Sequence, residues 1–370
     1  MTKPRRPSRE SRAPIRLTLL TGFLGAGKTT VLNRLLSEPS VTDTAVVVNE
    51  FGEVGIDQML VEAEVSDGLI ELSDGCLCCS VRGELVETLE RLALRTKDGR
   101  PLSRVIVETT GLADPTPILA AIMTHPVLAS AYALDAVICV VDAVNGEANL
   151  FEQVEAARQI AVADRILLSK SDLVPGGGAE LGGAIRAVNA HADILALNEA
   201  DTLADRILDC GLSKMDGTLG DPAEWLGRDH AGEADHEHHH NHHRHGSVRS
   251  MALVHDAPIP QQAVFAFLEM LGSFEGGKIL RMKGVVLTTE HLDQPLVLHG
   301  VRGYLHPPAR LPSWREGARR QSRLVIIGDH LNEDRVRDLF AAFTGGVRAD
   351  APDRTAIEDN PLAVPGMSFS

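Results

Sequence analysis

Two groups of residues in this chain have types and spacings that could do chemistry. Three of the five cysteines fall within four consecutive positions, and they follow a glycine-rich segment that ends in lysine and threonine. The clustered cysteines are Cys76, Cys78 and Cys79. Thiolates bind Zn²⁺ and other soft to borderline ions. A glycine-rich segment that ends in lysine and threonine is a candidate phosphate-binding loop, so the thiolate cluster that follows it predicts that nucleotide state and metal occupancy are coupled.

The spacing of the cysteines limits their geometry. In an extended strand Cys76 and Cys78 would point to one face and Cys79 to the other, so three sulfurs meet one ion only if the chain turns. Gly75 permits such a turn. A tetrahedral site then needs a fourth ligand from elsewhere. Two alternatives stay open: three buried small side chains, or a redox couple in which Cys78 and Cys79 would close a strained disulfide.

Residues 22–29, with the sequence GFLGAGKT, form a complete phosphate-binding pattern. A predicted strand runs into this loop, and residues 28–36 follow with helical apolar spacing. Lys28 offers a charge to the β and γ phosphates, and the Thr29 hydroxyl offers a ligand to Mg²⁺. The expected nucleotide-binding residues of this segment are Gly22, Gly25, Ala26, Gly27, Lys28, Thr29 and Thr30.

Residues 169–172 follow another predicted strand and are the candidate for reading the base. The carboxylate of Asp172 can accept hydrogen bonds from guanine N1–H and N2–H₂, which adenine does not offer, and the stem of Lys170 can pack on the ring. The common guanine signature begins with Asn, and Ser169 replaces it here. The discriminating carboxylate remains, so GTP is favoured over ATP.

The composition bounds the remaining choices. A chain of 370 residues with 44% hydrophobic residues can build more than one core, and a formal charge of -15 argues against a general nucleic-acid or membrane-surface binder. No apolar run approaches the length of a membrane span, and no hydrophobic signal region precedes the first strand. Clustered thiols without a paired framework fit a reducing compartment, so a cytoplasmic location is expected.

Short β-rich runs alternate with amphipathic segments as far as about residue 196, which predicts a parallel, helix-covered sheet. The expected fold class is therefore α/β, a P-loop domain with a mostly parallel sheet, plus a smaller α+β domain at the C-terminal end. The predicted strands are residues 16–20, 45–48, 105–107, 136–141, 165–168, 284–287 and 324–327, and the later helices are 262–271 and 333–343. The predicted units are a disordered basic tail (1–15), the P-loop domain (16–212), a His-rich flexible linker (213–249), the C-terminal domain (250–346) and a second disordered tail (347–370).

Eight of the fifteen histidines fall within residues 230–245, among polar residues with almost nothing to bury. Such a segment is expected to be a solvated loop. Neutral imidazoles bind Zn²⁺, Ni²⁺, Co²⁺ or Cu²⁺, but a mobile chain offers capacity without selectivity. We interpret the segment as a collector or buffer of metal; the alternative is a linker whose metal binding is incidental. Its candidate ligands are His236, His238, His239, His240, His242, His243 and His245.

Four motifs in order, at residues 22–30, 49–53, 75–79 and 108–115, resemble the CobW-like family of metal-handling GTPases. The later part of the chain resembles that family's C-terminal domain, so the likeness covers about residues 16–345. The resemblance implies slow GTP hydrolysis and transfer of a metal, most often zinc, to client proteins. Some members instead serve cobalamin synthesis or nitrile hydratase activation with cobalt or iron.

The resemblance also implies residue roles. It nominates Glu53 and His125 as further metal ligands. Residues 50–57 lie where P-loop GTPases place a segment that orders with the γ-phosphate and relaxes after hydrolysis, so hydrolysis would remove Glu53 from the metal. Glu108 resembles the acidic residue of a Walker B motif, and Gly111 can sense the γ-phosphate through its N–H. No glutamine typical of many GTPases is evident, so the water-positioning group stays open.

Three other functions compete with a zinc-delivering GTPase. A cobalt-directed CobW protein is the nearest, although that branch commonly has Leu where this chain has Asp114. A metal store or sensor with a structural nucleotide would not need Lys28. An ATP-dependent kinase is disfavoured by Asp172. The client, the oligomeric state, including a homo-oligomer, and the choice among Zn²⁺, Co²⁺ and Ni²⁺ are left open by the sequence.

Overall fold

The computed structural model describes residues 13–48, 69–71, 80–95, 102–199, 202–212, 221–227, 247–315 and 317–345. Several predicted features lie outside the described residues. They are Cys76, Cys78, Cys79, Glu53, the rest of residues 50–57, the histidines between 236 and 245, and most of both predicted tails.

Within the described residues, seven strands form one sheet in the order β3-β2-β4-β1-β5-β6-β7, and every pair in it is parallel. The central strands are fully buried, as β1 with the sequence IRLTLLT shows, because helices cover both faces of a parallel sheet. The strands are β1 (Ile15–Thr21), β2 (Thr44–Val48), β3 (Leu69–Glu71), β4 (Arg104–Glu108), β5 (Tyr132–Asp142), β6 (Arg165–Ser169) and β7 (Asp193–Ala196).

The longer helices of this part bury apolar residues against the sheet. In the first of them, Val31, Leu32 and Leu35 are buried at helical spacing. The described helices are α1 (Lys28–Leu36), α2 (Ser80–Arg95), α3 (Thr116–Thr124), α4 (Pro126–Ala131), α5 (Gly146–Glu152), α6 (Val154–Ala161), α7 (Ala179–Val188), α8 (Leu203–Ile207) and α9 (Pro222–Leu226).

A second, antiparallel sheet follows, with the order β11-β10-β9-β13-β8 and β12 paired to β10. Two helices pack on one face of it. The elements are β8 (Val248–His255), α10 (Gln261–Glu275), β9 (Ile279–Thr288), β10 (His291–Val301), β11 (Tyr304–Leu305), β12 (Ala309–Arg310), β13 (Ser322–Asp329) and α11 (Glu333–Phe343).

The second sheet is a middle layer, because both of its faces are covered. In β13, Leu324 and Ile326 belong to the apolar cluster that includes Phe267 of α10. Their neighbours Val325 and Ile327 belong instead to the apolar cluster of the first domain. This alternation is the two-residue period of a strand with both faces buried. The two sheets therefore share a packed interface.

An ion cluster centred on Asp164, which precedes β6, lies in this interface. Asp164 accepts hydrogen bonds from Arg281 Nη2 at 2.9 Å, from Lys283 Nζ, and from the N–H of Val137 at 2.8 Å. Burial alone would raise the pKa of Asp164, but the charges of Arg281 and Lys283 and these hydrogen bonds hold it well below its usual value. The two cations come from β9, so the cluster joins the domains.

The predicted fold class is confirmed, and each predicted strand lies within an observed strand. Helix α1 has the predicted bounds, Lys28–Leu36. The second sheet has more strands than predicted, since β8, β10, β11 and β12 were all missed. β11 and β12 are two residues long and β10 begins with four exposed residues, whereas β8 has alternating burial that the sequence reading overlooked. Among the described helices, none is long and apolar enough to cross a membrane.

Candidate functional site

The phosphate-loop candidate joins the end of β1 to the start of α1. Gly22 has φ 144°, and a Cβ placed there would lie 2.3 Å from the carbonyl oxygen of Val140 on β5. Gly25 and Gly27 also have positive φ, 69° and 94°. Ala26 is buried in the loop, and its N–H donates to the carbonyl of Phe23 at 3.2 Å. The backbone therefore curls as a phosphate cradle requires.

Lys28 lies across this loop. Its side chain is buried, and Nζ donates to the carbonyl oxygens of Gly22 at 3.0 Å and Phe23 at 3.4 Å. The positive end of the α1 dipole adds to the ammonium charge at this point. Thr30 is exposed in the first turn of α1. The phosphates of a nucleoside triphosphate fit the charge and the shape of this segment.

Thr29 and Glu108 meet across the edge of the sheet. Thr29 Oγ1 lies 3.5 Å from Oε1 of Glu108, which is buried at the end of β4. A hydroxyl and a carboxylate are oxygen ligands of the kind that Mg²⁺ prefers. Beside them, Thr109 Oγ1 donates to Thr21 Oγ1 at 2.9 Å, which fastens the ends of β4 and β1 together. The structure thus brings together two residues that were predicted as catalytic.

The residues predicted to read the base contact the phosphate loop directly. Ser169 Oγ donates to the carbonyl of Ala26 at 2.6 Å, and Lys170 Nζ donates to the carbonyl of Gly25 at 3.0 Å. Lys170 has a left-handed backbone, φ 55°, and its Nζ also donates to Asp142 Oδ2 at 2.6 Å.

Asp142, at the end of β5, was not singled out in the sequence. Burial would raise the pKa of Asp142, but hydrogen bonds from Lys170, Asn145 and the N–H of Val144 lower it. The side chain is therefore an anionic anchor for the lysine. Its signal was available: an acidic residue that directly follows a buried apolar strand.

Asp172 lies exposed in a short 3₁₀ turn, Ser171–Leu173. The neighbouring Ser171 Oγ donates to Asn198 Oδ1 at 3.0 Å. Asn198 follows β7 and was also missed, although it is a polar residue that comes just after a short strand. The arrangement presents a carboxylate and an amide at the carboxyl edge of neighbouring strands, where a base could lie.

The loop after β4, residues 109–115, packs on the phosphate loop. A Cβ on Gly111 would lie 2.7 Å from the backbone nitrogen of Leu24, so only glycine allows this approach. Gln159 of α6 is fully buried and donates through Nε2 to the carbonyls of Gly111 and Ala113, both at 3.0 Å. Gln159 was not predicted; nothing in its helical spacing separates it from a core position.

The ends of four strands lie in register at this edge. Leu20 of β1 pairs with Glu108 of β4, Glu108 with Val48 of β2, and Val48 with Glu71 of β3. With strands roughly 4.8 Å apart, Glu71 lies about 15 Å from Leu20. The segments that follow β2 and β3 therefore begin at the same edge of the sheet as the phosphate loop, the edge formed by the carboxyl ends of the strands.

His125, the other predicted metal ligand, lies between α3 and α4. Its Nδ1 is 3.7 Å from Oε1 of Glu90 in α2. Glu90 is ten residues beyond Ser80, the first residue of α2, which corresponds to about 15 Å along the helix axis. Among the residues that the structure describes, no three His, Cys, Asp or Glu side chains could together hold a metal ion.

Comparison with known proteins gives this site its context. The nucleotide-binding domain of the CobW/HypB/UreG family matches residues 16–196, and the cobalamin synthesis protein CobW C-terminal domain matches residues 248–344. The zinc chaperone YjiA of Escherichia coli (strain K12) is 33% identical over 331 residues, covering 89% of this chain and 99% of that protein. The chain belongs to the CobW family. The zinc chaperone CobW of a Sinorhizobium species is 30% identical over 370 residues, covering 91% and 99%.

The CobW assignment extends to the structure. A crystal structure of Zn(II)-bound YjiA GTPase from E. coli matches with a TM-score of 0.66 and 28% identity, over 90% of this chain and 99% of that one. The predictions of a CobW-like family member, of its fold class and of a P-loop GTPase are confirmed.

Proposed function

We propose that this GTPase holds Zn²⁺ at Cys76, Cys78 and Cys79 and passes it to client metalloproteins when GTP is hydrolysed. The similar proteins from E. coli and Sinorhizobium are named zinc chaperones, which supports zinc as the cargo. The observation that carries the proposal is the common edge at which Leu20, Glu108, Val48 and Glu71 lie in register.

Chain length supports contact between the two sites. Glu53 is five residues beyond Val48, and Cys76 is five residues beyond Glu71. Five residues span at most about 17 Å, comparable with the width of the three strand intervals that separate β3 from β1. Both candidate metal segments therefore begin within reach of the nucleotide edge.

Thr29 and Glu108 are the proposed Mg²⁺ ligands, because their oxygens meet beside the phosphate loop. For the cargo, three thiolates and one carboxylate complete a tetrahedral Zn²⁺ site. Glu53 is a better fourth ligand than His125. His125 lies beside Glu90, which is about 15 Å along α2 from Ser80, the residue that follows Cys79. Loss of the γ-phosphate would relax residues 50–57 and withdraw Glu53, which leaves a weaker three-thiolate site.

The histidine segment has a different part in the proposal. Its imidazoles collect Zn²⁺ without fixed geometry and raise the local supply for the cysteines. Deletion of residues 236–245 should lower the number of zinc ions bound per chain and leave the rate of GTP hydrolysis unchanged. A loss of hydrolysis would contradict this separation of roles.

The decisive experiment measures Zn²⁺ affinity by competition with a chromophoric chelator, once with GDP and Mg²⁺ and once with a non-hydrolysable GTP analogue. Affinity should be about tenfold or more higher with the analogue, as expected when one ligand is lost. Replacement of Cys76, Cys78 and Cys79 by Ser should abolish the tight site. Cys210→Ser is the matched control, because Cys210 lies outside the cluster. Equal affinities in the two nucleotide states would refute the coupling.

Lys28→Ala separates delivery from storage. In the wild type, addition of GTP should speed the passage of Zn²⁺ to a fluorescent chelator. The variant should keep its zinc stoichiometry but lose this acceleration, because Lys28 is needed for the phosphates. A passive store would release zinc equally in both proteins. The cobalt alternative is tested in the same assay with protein loaded with Zn²⁺ or with an equal amount of Co²⁺. If GTP accelerates the transfer of Co²⁺ but not of Zn²⁺, the cobalt alternative is favoured.

A further inference from the structure

Arg302 of the second domain reaches into the nucleotide-binding domain. It lies in the turn between β10 and β11, and its Nε donates to Thr116 Oγ1 while Nη2 donates to Asp114 Oδ2, both at 2.8 Å. Thr116 is fully buried at the start of α3. Arg302 (φ 50°) and Gly303 (φ 76°) form the two-residue turn of this hairpin, whose central residues need positive φ, so the turn fixes the backbone of Arg302.

Asp114 is the common partner of several donors. Its Oδ1 accepts from the N–H of Thr116 at 2.9 Å and from the Thr116 hydroxyl at 2.6 Å. Its Oδ2 accepts from Arg302 and, at 3.2 Å, from Arg158 Nη1 of α6. The carboxylate thus fixes the end of the loop 109–115 to one residue of each domain.

The other end of the same loop lies against the phosphate loop. Gly111 packs on Leu24, and Gln159 holds the carbonyls of Gly111 and Ala113. Gln159 and Arg158 are neighbours on α6, so both halves of the loop are fastened to one helix. Gly111 cannot move independently of Asp114, because only two residues separate them.

A second path runs through Arg158. Its Nη2 donates to Asp329 Oδ2 at 3.1 Å, at the end of β13. Asp329 Oδ1 accepts from Ser247 Oγ, and the N–H of His330 donates to the carbonyl of Ser247 at 2.8 Å. Ser247 follows His245 by two residues. The contacts therefore extend from the phosphate loop to the first residue described after the histidine segment.

We propose that Arg302 is a positioning residue for GTP hydrolysis, which acts from the second domain by fixing Asp114 and hence the loop that packs Gly111 against the phosphate loop. The proposal concerns hydrolysis alone and does not depend on zinc. A nucleotide that shifts this loop would also change the contacts that Arg302 makes with Asp114 and Thr116. The contacts that Arg302 makes across the domain interface would thus differ between nucleotide states.

The test compares the steady-state kinetics of GTP hydrolysis, without zinc, in Arg302→Ala, Arg302→Lys and the wild type. Arg302→Ala should lower kcat about fivefold or more, with a smaller change in KM, because even a small misplacement caused by a remote substitution can cost up to about 100-fold in rate. Arg302→Lys should recover part of the rate, since an ammonium can reach Asp114 but cannot also serve Thr116. Arg320→Ala is the matched control, because Arg320 pairs with Asp293 of its own domain at 2.7 Å.

Affinity for GDP, measured with a fluorescent analogue, tells positioning apart from misfolding. GDP lacks the γ-phosphate, so its affinity should stay within twofold in Arg302→Ala. A kcat that is unchanged or raised overturns the inference, and so does a fall in GDP affinity as large as the fall in kcat. If zinc affinity proves insensitive to nucleotide, the proposed function fails and this inference stands. If Arg302→Ala leaves kcat unchanged while zinc affinity still depends on the nucleotide, this inference fails and the proposed function stands.

Discussion

Ser169 Oγ donates a buried hydrogen bond to the carbonyl oxygen of Ala26 at 2.6 Å. The bond joins the strand that leads to the residues proposed to read the base with the loop proposed to cradle the phosphates. One hydroxyl therefore holds the two halves of the candidate nucleotide site together, at the position where the common guanine signature has Asn.

Ser169→Ala should weaken GTP binding about two- to tenfold, because a single net hydrogen bond of roughly 0.5–1.5 kcal/mol is lost. Fluorescent-nucleotide titration measures the change. Ser273→Ala is the control: its hydroxyl also donates to a carbonyl, that of Glu269 at 2.9 Å, but on the exposed face of helix α10 in the second domain. Equal affinities in Ser169→Ala and the wild type would show that the bond does not shape the site.

Asp172→Asn tests the proposed reading of guanine. The carboxylate should accept from both N1–H and the 2-amino group, and hydrogen bonds to a charged group contribute about 1.5–3 kcal/mol. Wild-type protein should therefore prefer GTP over inosine triphosphate, which lacks the 2-amino group, by about tenfold or more. The preference should shrink in the variant. A variant that keeps the full preference would place base recognition elsewhere.

Gly22→Ala and Gly25→Ala should differ sharply. A Cβ at Gly22 meets a backbone carbonyl, whereas a Cβ at Gly25 meets nothing within 4 Å. Gly25→Ala therefore costs only the left-handed backbone penalty of about 1–2 kcal/mol, while Gly22→Ala must move β5 or the loop. Nucleotide titration together with circular dichroism should show GTP binding abolished in the first and only weakened in the second. Similar losses of GTP binding in the two variants would contradict the described backbone of the loop, in which only Gly22 lies against a neighbouring strand.

Asp164→Asn should destabilise the protein by about 3–5 kcal/mol at neutral pH, because it leaves the buried Arg281 and Lys283 without their counterion. Urea unfolding reports the loss. Asp256→Asn breaks an exposed pair with Arg319 and should change stability by less than about 1 kcal/mol. If the two variants lose similar amounts of unfolding free energy, the ion cluster does not stabilise the packing of the domains.

The same comparison has a defined pH dependence. The pKa of Asp164 is lowered in the folded state, so the unfolded chain takes up a proton first as the pH falls. The stabilisation by Asp164 is complete above the ordinary carboxyl pKa of about 3.9 and is lost below it, toward the folded pKa. The difference in unfolding free energy between wild type and Asp164→Asn should therefore shrink as the pH falls below about 4. A constant difference throughout would contradict the lowered pKa.

Five of the seven described strands of the parallel sheet were predictable from sequence because they are short continuous apolar runs, whereas β3 and β7 were missed. Cys139 illustrates this: it falls in the predicted strand 136–141, it is buried in β5, and burial raises its pKa to about 12. The phosphate loop was equally accessible, since its glycines must adopt backbones that other residues avoid.

The contacts around Asp114 were not predictable in the same way. Asp114 and Arg302 are 188 positions apart, and their meeting depends on how the second sheet packs on the first domain. Gln159 has the same difficulty: its role comes from the carbonyls it faces, which no periodicity encodes. Strands β11 and β12 of the second sheet were missed for another reason, because each is only two residues long.

The packing of Arg281 and Lys283 on Asp164 has an implication for substitutions in the histidine segment. Charges and apolar residues on the facing surfaces hold the two domains together within the described residues. If the histidines between residues 236 and 245 collect metal as proposed, substitutions there would change the number of ions bound while leaving these domain contacts in place.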